Sequence, residues 1–218
     1  MQVTEKITIT NEDNMELMAR YPDNYFDLAI VDPPYGINMD NQTVRVKPNR
    51  PNTYLRAGQE QYKKADWDKS PPTKEYFNEL FRVSKNQIIW GANYFCEFIP
   101  SGKGWVYWDK QMGDNNFSSG EFAYQSMQIK SSSFSMPSMR VAGTRIHPTE
   151  KPIDLYKFCL DKYAKQGDKI LDTHLGSGSI AIACHDYKFE LTACEIDKEY
   201  FEKAKQRIIN HVSQQKLF

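Results

Sequence analysis

Helix-like and strand-like segments alternate in a regular order through residues 151–213. A helical pattern at 151–164 precedes the apolar run K-I-L-D at 169–172, a second helical pattern at 179–187, a strand pattern at 190–196 and a last helix. Strands that alternate with helices form a parallel sheet covered on both faces. Ligands bind beyond the carboxyl ends of the strands in such sheets. The sequence therefore predicts an α/β protein with its site at that edge.

The first two thirds of the chain contain further elements and two long segments without periodicity. The patterns predict a strand at 5–10, a helix starting near Asn11 or Asn14, a strand at 26–31, a helix at 73–83 and strands at 87–92 and 104–109. Residues 38–72 and 111–146 show no clear periodicity. We expect the first of these to be a mobile loop, because structureless loops of this length are usually functional or disordered.

The composition is that of a globular protein. The chain has 218 residues, of which 40% are hydrophobic and 13% aromatic, and this predicts a single domain over residues 1–218. Its formal net charge is zero, so only a local concentration of charge could indicate a nucleic-acid partner.

Cysteine spacing and hydropathy bear on metal sites and on location. Cys96, Cys159, Cys184 and Cys194 form no C-x-x-C pair and no zinc-ligand pattern, so we expect buried thiols and no metal site. The sequence shows neither a signal peptide nor an apolar run long enough to span a bilayer, which predicts a cytoplasmic protein without a membrane partner.

A glycine-containing loop follows the K-I-L-D strand. Gly176 and Gly178 in D-T-H-L-G-S-G-S permit a tight turn and the close approach of a ligand to the backbone. The start of the next helix offers free N–H groups. Glu195 ends the following strand, at the spacing where a doubly wound nucleotide site places an acid for ribose hydroxyls. Because Ala181 satisfies the looser dinucleotide fingerprint, a nicotinamide oxidoreductase is an alternative at this point.

The segment D-P-P-Y, residues 32–35, directly follows the apolar strand F-D-L-A-I-V. Asp32 and Pro33 each precede a proline and are therefore restricted to extended conformations. A fixed carboxylate, a free carbonyl and an aromatic face suit methylation of an exocyclic amine on a base. The Asp32 carboxylate and the Pro33 carbonyl would accept the two amine hydrogens and stabilise the developing positive charge, and Tyr35 could stack on the extruded base. A rigid surface turn is the structural alternative.

These motifs together resemble the amino-group DNA methyltransferases. D-P-P-Y comes first, H-P-T-E-K-P follows at 147–152, and D-T-H-L-G-S-G-S and A-C-E-I-D come last. This order is similar to that of their beta class, and the resemblance covers nearly the whole chain. It implies a Rossmann-like S-adenosylmethionine-dependent methyltransferase fold with a mostly parallel sheet, helices on both faces and a permuted motif order.

The resemblance also implies roles for individual residues. The catalytic residues would be Asp32, Pro33, Pro34 and Tyr35. S-adenosyl-L-methionine would be held by Asp32, Thr149, Lys151, Asp172, Thr173, His174, Leu175, Gly176, Ser177, Gly178, Ser179 and Glu195, with Thr149 and Lys151 covering the cofactor from the side.

The chain departs from the family pattern at several positions. Thr173 and His174 stand where the family usually has Pro and Phe, Ser179 where it has Thr, and Glu150 where Gln is common. His174 could pack against the cofactor or be a hydrogen-bonded structural residue. Asp32 favours adenine N6 as the target, because cytosine-N4 members usually carry Ser at this position.

Basic residues concentrate in the long loop after the catalytic motif. They would contact the phosphates of double-stranded DNA and are Arg45, Lys47, Arg50, Arg56, Lys63 and Lys64. Residues 111–146 would form a small target-recognition segment, with base contacts from Gln125, Gln128, Lys130 and Arg140. Because this segment is short, a homodimer is one candidate for the active species.

The sequence thus predicts a site-specific adenine-N6 DNA methyltransferase of the restriction-modification type. Alternatives within the same chemistry are methylation of cytosine N4, of RNA or of a protein glutamine. A non-catalytic nucleic-acid-binding relic of the fold is an alternative of a different class.

Overall fold

A computed structural model describes residues 1–36, 71–102, 104–111, 118–127, 129–137 and 150–214. The strands within these ranges are β1 Ile7–Thr10, β2 Phe26–Val31, β3 Ser84–Trp90, β4 Trp105–Asp109, β5 Gly120–Gln125, β6 Ser132–Ser135, β7 Lys169–Asp172 and β8 Glu190–Cys194. The helices are α1 Asn14–Ala19, α2 Lys74–Val83, α3 Ile153–Tyr163, α4 Ser179–Tyr187 and α5 Lys198–Ser213, and a 3-10 turn spans Ala92–Tyr94.

The strands form one sheet in the order β1-β8-β7-β2-β3-β5-β4-β6. Adjacent strands from β1 to β3 are parallel, whereas β5 is antiparallel to both β3 and β4. Strand β6 runs parallel to β4. Within the described part of the chain, β5 therefore alone runs against the other strands, and the predicted mostly parallel sheet is confirmed.

Helices cover both faces of the sheet, and β2 shows why its sequence is apolar throughout. Leu28 and Ile30 belong to the core under α3, α4 and α5, whereas Ala29 and Val31 belong to the core under α1 and α2. Successive side chains of a strand point to opposite faces, so a strand covered on both sides needs apolar residues at consecutive positions.

Capping side chains fix the starts of two helices. The Asp197 carboxylate accepts hydrogen bonds from Glu199 N and Tyr200 N, at 2.8 and 2.9 Å, and so caps α5. Helix α1 starts at Asn14, one of the two predicted starting residues, and is capped by Asp13, whose carboxylate accepts from Met15 N at 2.7 Å. Pro152 immediately precedes α3.

The structure corrects the sequence analysis over residues 111–146. This segment contains β5 and β6, and β5 lies inside the sheet between β3 and β4. Ala123, Tyr124 and Gln125 are buried there, so the pattern of a half-exposed strand is absent from the sequence. The extent of a target-recognition segment stays a prediction, and the predicted mobile loop lies almost wholly outside the described residues.

The cysteines and the helix lengths bear on two further predictions. Cys159, Cys184 and Cys194 are buried as expected, but Cys96 is exposed, because it follows the 3-10 turn at the surface. No helix in the described ranges is both long enough and apolar enough to cross a bilayer.

Candidate active site

The sheet topology places the predicted site residues along one edge. Strands β8, β7, β2 and β3 are parallel neighbours, so their carboxyl ends lie side by side. Glu195, Asp172, Asp32 and Gly91 stand at or directly after these four ends. The glycine loop and the D-P-P-Y segment, 140 positions apart in sequence, are thus adjacent in the fold.

Tyr35 folds back onto the aspartate of its own motif. Its hydroxyl donates a hydrogen bond of 2.7 Å to Asp32 Oδ1. Burial, together with the negative charges of Asp32 and Glu121, raises the pKa of Tyr35, so the hydroxyl keeps its proton and acts as a donor. The ring stacks on Tyr94 with centroids 5.0 Å apart and planes 14° from parallel. The predicted stacking of Tyr35 on a base stays a prediction.

Gly91 makes room for the Tyr35 ring. It follows β3 with φ of +67°, in the left-handed region that favours glycine. A Cβ atom at this position would lie 2.1 Å from the Tyr35 ring, far inside van der Waals contact. The position of the Tyr35 ring therefore depends on the glycine that follows the neighbouring strand β3.

Lys151 contacts the D-P-P-Y segment directly. Its ammonium lies 2.5 Å from Asp32 Oδ2 and 3.0 Å from Glu121 Oε2, and it donates to the Tyr35 hydroxyl at 3.2 Å. The Lys151 side chain is only 3% exposed. The sequence analysis placed Lys151 beside the cofactor, whereas the structure brings its ammonium to Asp32. Thr149, its predicted companion, lies outside the described residues.

Sequence analysis missed Glu121. This residue is near the start of β5, and an antiparallel strand begins at the edge where its parallel neighbours end. Its second carboxylate oxygen accepts a hydrogen bond from Lys110, which follows β4. No periodicity marks Glu121, and only a correct prediction of β5 as an antiparallel strand could have placed it.

The two carboxyl groups that share Lys151 differ in proton affinity. Burial raises the pKa of Asp32, and the negative charge of Glu121 adds to this against the opposing effect of Lys151. Burial also opposes ionisation of Glu121, but Lys151 and Lys110 overcome it and lower the pKa of Glu121 to about 2. Burial alone would lower the pKa of Lys151, yet the two carboxylates raise it. Glu121 therefore stays ionised at pH values at which Asp32 can take up a proton.

The structure brings the glycine loop and Glu195 together as predicted. Gly176 and Gly178 have φ of +52° and +77°, and α4 begins directly after Gly178. Glu195 accepts hydrogen bonds from Gly176 N at 2.9 Å and from Asp197 N at 3.0 Å. The acid at the end of β8 thus fixes the loop after β7.

Arg207 of α5 is a second residue that sequence analysis missed. It donates to Ser177 O at 2.9 Å and to Ser179 Oγ at 3.0 Å, and it pairs with Glu150 Oε1 at 2.9 Å. This pairing gives a physical reason for Glu150 where Gln is common, since a carboxylate binds a guanidinium more strongly than an amide does.

His174 is part of a hydrogen-bonded chain. Asn14 Nδ2 lies 3.1 Å from His174 Nε2, and His174 Nδ1 lies 2.9 Å from Thr173 Oγ1, which is 2.7 Å from the Tyr76 hydroxyl. Because an amide nitrogen only donates, Nε2 accepts and the ring proton is on Nδ1. Burial lowers the pKa of His174 to about 3, so the ring is neutral. These contacts favour the structural interpretation of His174.

Asp172 is a buried acid, 1% exposed, at the end of β7. Its Oδ1 accepts a hydrogen bond of 3.0 Å from His174 N. Burial, with a further contribution from the charges of Asp32 and Glu195, raises the pKa of Asp172 to about 8. Near neutral pH this carboxyl group is therefore largely protonated, and a cation bound beside it would favour its ionised form.

Of the predicted DNA-contacting residues, only Gln125 and Lys130 lie within the described ranges. The predicted phosphate contacts, from Arg45 to Lys64, lie outside the described residues, as do Gln128 and Arg140. The prediction of a base contact is wrong for Gln125, which is fully buried and donates to Ile129 O at 2.6 Å. Lys130 is exposed. Within the ranges that the structure describes, no cluster of His, Cys, Asp and Glu could hold a metal ion.

Comparison with known proteins agrees with this geometry. Residues 103–206 match the family model described as DNA methylase, of the N6/N4 methyltransferases. The chain is 24% identical over 225 residues to the type II methyltransferase M.HpaI of Haemophilus parainfluenzae, and the match covers 89% of this chain and 71% of that protein.

Two solved structures show the same fold. The M1.HpyAVI–SAM complex superposes with a TM-score of 0.58 at 18% identity, covering 92% of this chain and 98% of the other. The cytosine-N4-specific PvuII DNA methyltransferase superposes with a TM-score of 0.55 at 11% identity, covering 93% and 90%.

The fold is therefore that of the S-adenosylmethionine-dependent methyltransferases, as predicted. The family match, together with the four motifs, confirms the resemblance to the amino-group DNA methyltransferases. Residues 103–206 are thus similar to the N6/N4 DNA methylases, and M.HpaI extends this similarity over most of the chain.

The contact between Gly91 and Tyr35 can be tested with a matched pair of alanine variants. Gly167 also has a positive φ, +96°, but a Cβ there would meet nothing within 4 Å. Gly167→Ala should cost about 1 kcal/mol of unfolding free energy from backbone strain alone. Gly91→Ala should cost at least ~1–2 kcal/mol more, since Tyr35 must also move. Urea unfolding measures both. Equal losses would show that Gly91 does not position Tyr35.

The buried acid at Asp172 predicts a pH-dependent stabilisation by Asp172→Asn. The unfolded chain ionises Asp172 near its ordinary pKa of 3.8, whereas the folded protein keeps the proton up to about pH 8. This carboxyl group therefore lowers the free energy of unfolding progressively from about pH 4 to about pH 8.

An amide at position 172 keeps the acceptor for His174 N and has no charge to bury. Asp172→Asn should match wild type near pH 4 and exceed it by more than ~1 kcal/mol at pH 8 in urea unfolding. Glu190→Gln, at an exposed position, is the control and should show no such pH dependence. A variant less stable than wild type at pH 8 would contradict the assignment.

Proposed function

We propose that this protein transfers a methyl group from S-adenosyl-L-methionine to N6 of adenine in double-stranded DNA, with the target base rotated out of the helix. The observation that carries this proposal is the position of Asp32 and Asp172 at the ends of the neighbouring strands β2 and β7. Asp32, which would accept a hydrogen bond from the amine, is therefore adjacent to the glycine loop that would hold the methyl donor.

The residues of the glycine loop fit S-adenosylmethionine. Gly176 and Gly178 allow close approach, Glu195 has carboxylate oxygens for ribose hydroxyls, and the buried Asp172 offers a negative charge to a cationic ligand. When bound, this cofactor supplies a methyl group on a positively charged sulfur. Arg207 holds Ser177 and Ser179 in place, so the loop is preorganised.

Asp32 and Pro33 would act on the amine of the base. An exocyclic amine is a weak nucleophile because its lone pair is delocalised into the ring. Acceptors at both N–H groups favour a pyramidal nitrogen and stabilise its positive charge in the transition state. The amine nitrogen would form a bond to the methyl carbon as the bond between this carbon and sulfur breaks. The electron pair of the carbon–sulfur bond would stay on sulfur. The amine then loses a proton, which Asp32 can accept because its pKa is raised.

Asp32 is the residue that favours adenine over cytosine as the target. Asp32 stands where the cytosine-N4 members of the family usually have Ser, and this supports adenine N6. The cytosine-N4 alternative is kept because the PvuII enzyme, which has that specificity, shares the fold.

The proposal includes the interaction with DNA. Six basic residues in 45–64, between the catalytic motif and α2, would bind phosphates. A homodimer and a cytoplasmic location remain parts of the proposal that rest on the sequence analysis alone.

The product of the reaction tests the function directly. The purified protein is incubated with isotopically labelled S-adenosylmethionine and unmethylated double-stranded DNA, which is then digested to nucleosides for mass spectrometry. We expect labelled N6-methyladenine. Labelled N4-methylcytosine would retain the fold and mechanism but overturn the assignment from Asp32. An absence of label in DNA, with label in RNA or in protein glutamine, would overturn the DNA substrate.

Asp32→Ala separates catalysis from cofactor binding. Loss of the carboxylate should lower kcat by at least ~100-fold, because one preorganised group at the developing charge is removed. The affinity for S-adenosylmethionine, measured by calorimetry, should largely survive, since the glycine loop and Glu195 are intact. Glu190→Gln is the exposed acid control and should retain activity. Substantial turnover by Asp32→Ala would refute the mechanism.

A further inference from the structure

Both carboxylate oxygens of Asp32 are occupied in this structure. Tyr35 donates to Oδ1 at 2.7 Å, and the Lys151 ammonium lies 2.5 Å from Oδ2. An ammonium is a nitrogen with hydrogens to donate, as is the amine of a base. Lys151 therefore occupies an acceptor position of Asp32 that suits the substrate amine, and an amine that takes this position displaces Lys151 from Asp32.

Displacement of Lys151 needs another partner for its charge. The side chain is 3% exposed, and a buried ammonium without a counter-ion is strongly unfavourable. Glu121 Oε2 is already 3.0 Å from the same nitrogen, so a small movement would suffice. The rings of Trp90 and Tyr35 also face the ammonium, at 5.6 and 5.7 Å, and both favour a cation.

Glu121 is held ready for this role. Its other carboxylate oxygen binds Lys110. Two lysines and two acids give the cluster a net charge of zero when both acids are ionised. Transfer of Lys151 from Asp32 to Glu121 keeps the ammonium paired with a carboxylate and leaves the net charge of the cluster unchanged.

We propose that Glu121 is a positioning residue that takes over the Lys151 ammonium when the target amine binds to Asp32. This inference rests on the proposed function, because it assumes that an amine enters the D-P-P-Y pocket. Lys151 would shield the catalytic carboxylate between turnovers. Its contact with Glu121 would lower the free-energy cost of moving the ammonium away from Asp32. The exchange would occur after DNA is bound, at the step where the base enters the pocket.

The first test is the steady-state kinetics of Glu121→Gln. An amide is a weaker partner for an ammonium, so Lys151 should stay on Asp32 and kcat should fall about tenfold or more. KM for DNA should be unchanged, because phosphate contacts outside this pocket dominate DNA affinity. Glu199→Gln on α5 is the matched control, since it removes an exposed, ion-paired carboxylate that makes no contact with the Lys151 cluster in the described residues, and it should have wild-type kinetics.

The decisive test is a rescue by a second substitution. In Glu121→Gln/Lys151→Met the ammonium is absent, so Asp32 is available to the amine again. The double variant should therefore have a higher kcat than Glu121→Gln. A purely structural role for Glu121 predicts the opposite, because the double variant loses one more buried contact.

The outcomes separate this inference from the proposed function. Wild type must first methylate DNA, and its failure would overturn the function itself. If wild type is active, a wild-type kcat in Glu121→Gln, or a double variant no faster than the single one, overturns the exchange of Lys151. If Glu121→Gln does not fold, as judged by circular dichroism, Glu121→Asp replaces it. This variant keeps the negative charge but withdraws the carboxylate from Lys151, and it should show a smaller loss of kcat that Lys151→Met again reverses.

Discussion

A buried ammonium shared by two carboxylates joins the parts of this structure on which its chemistry depends. Lys151 precedes α3, Asp32 follows β2, and Glu121 belongs to β5, so one cation connects three distant segments of the chain. Burial makes each of these charges costly when unpaired, and each is tolerated because the others are present. The same pairing separates the proton affinities of Asp32 and Glu121. The contact with Lys151 thus both positions the Asp32 carboxylate and opposes the rise of its pKa.

The glycine loop shows a second use of buried polar groups. Glu195 binds the backbone at Gly176, and Arg207 binds Ser177 and Ser179. These contacts come from the end of β8 and from α5, the elements that follow the loop in sequence. A ligand entering here meets a loop whose shape is already set, which reduces the ordering cost of binding. Burial keeps the Asp172 carboxyl group largely protonated near neutral pH, and a bound cation would favour its ionised form.

Much of the fold and half of the site could be predicted from local patterns. The parallel core was predictable because β2, β7 and β8 are apolar at consecutive positions and alternate with helices. Strand β5 was not, since a strand buried inside the sheet with Ala123 and Gln125 at its end has no alternation to detect. The start of α1 at Asn14 was predictable, but the sequence left Asn11 as an alternative because several polar residues precede this helix.

The sequence by itself determined the D-P-P-Y and glycine-loop motifs, their order and hence the resemblance to the amino-group DNA methyltransferases, because these features depend on local backbone chemistry. Only the tertiary structure decided the position of Lys151, the presence of Glu121 beside it and the neutral, hydrogen-bonded state of His174. These depend on which strand ends meet at one edge and on how deeply each charge is buried. Contacts between residues 30 to 160 positions apart leave no periodic trace in a sequence, whereas turns, caps and strand patterns do.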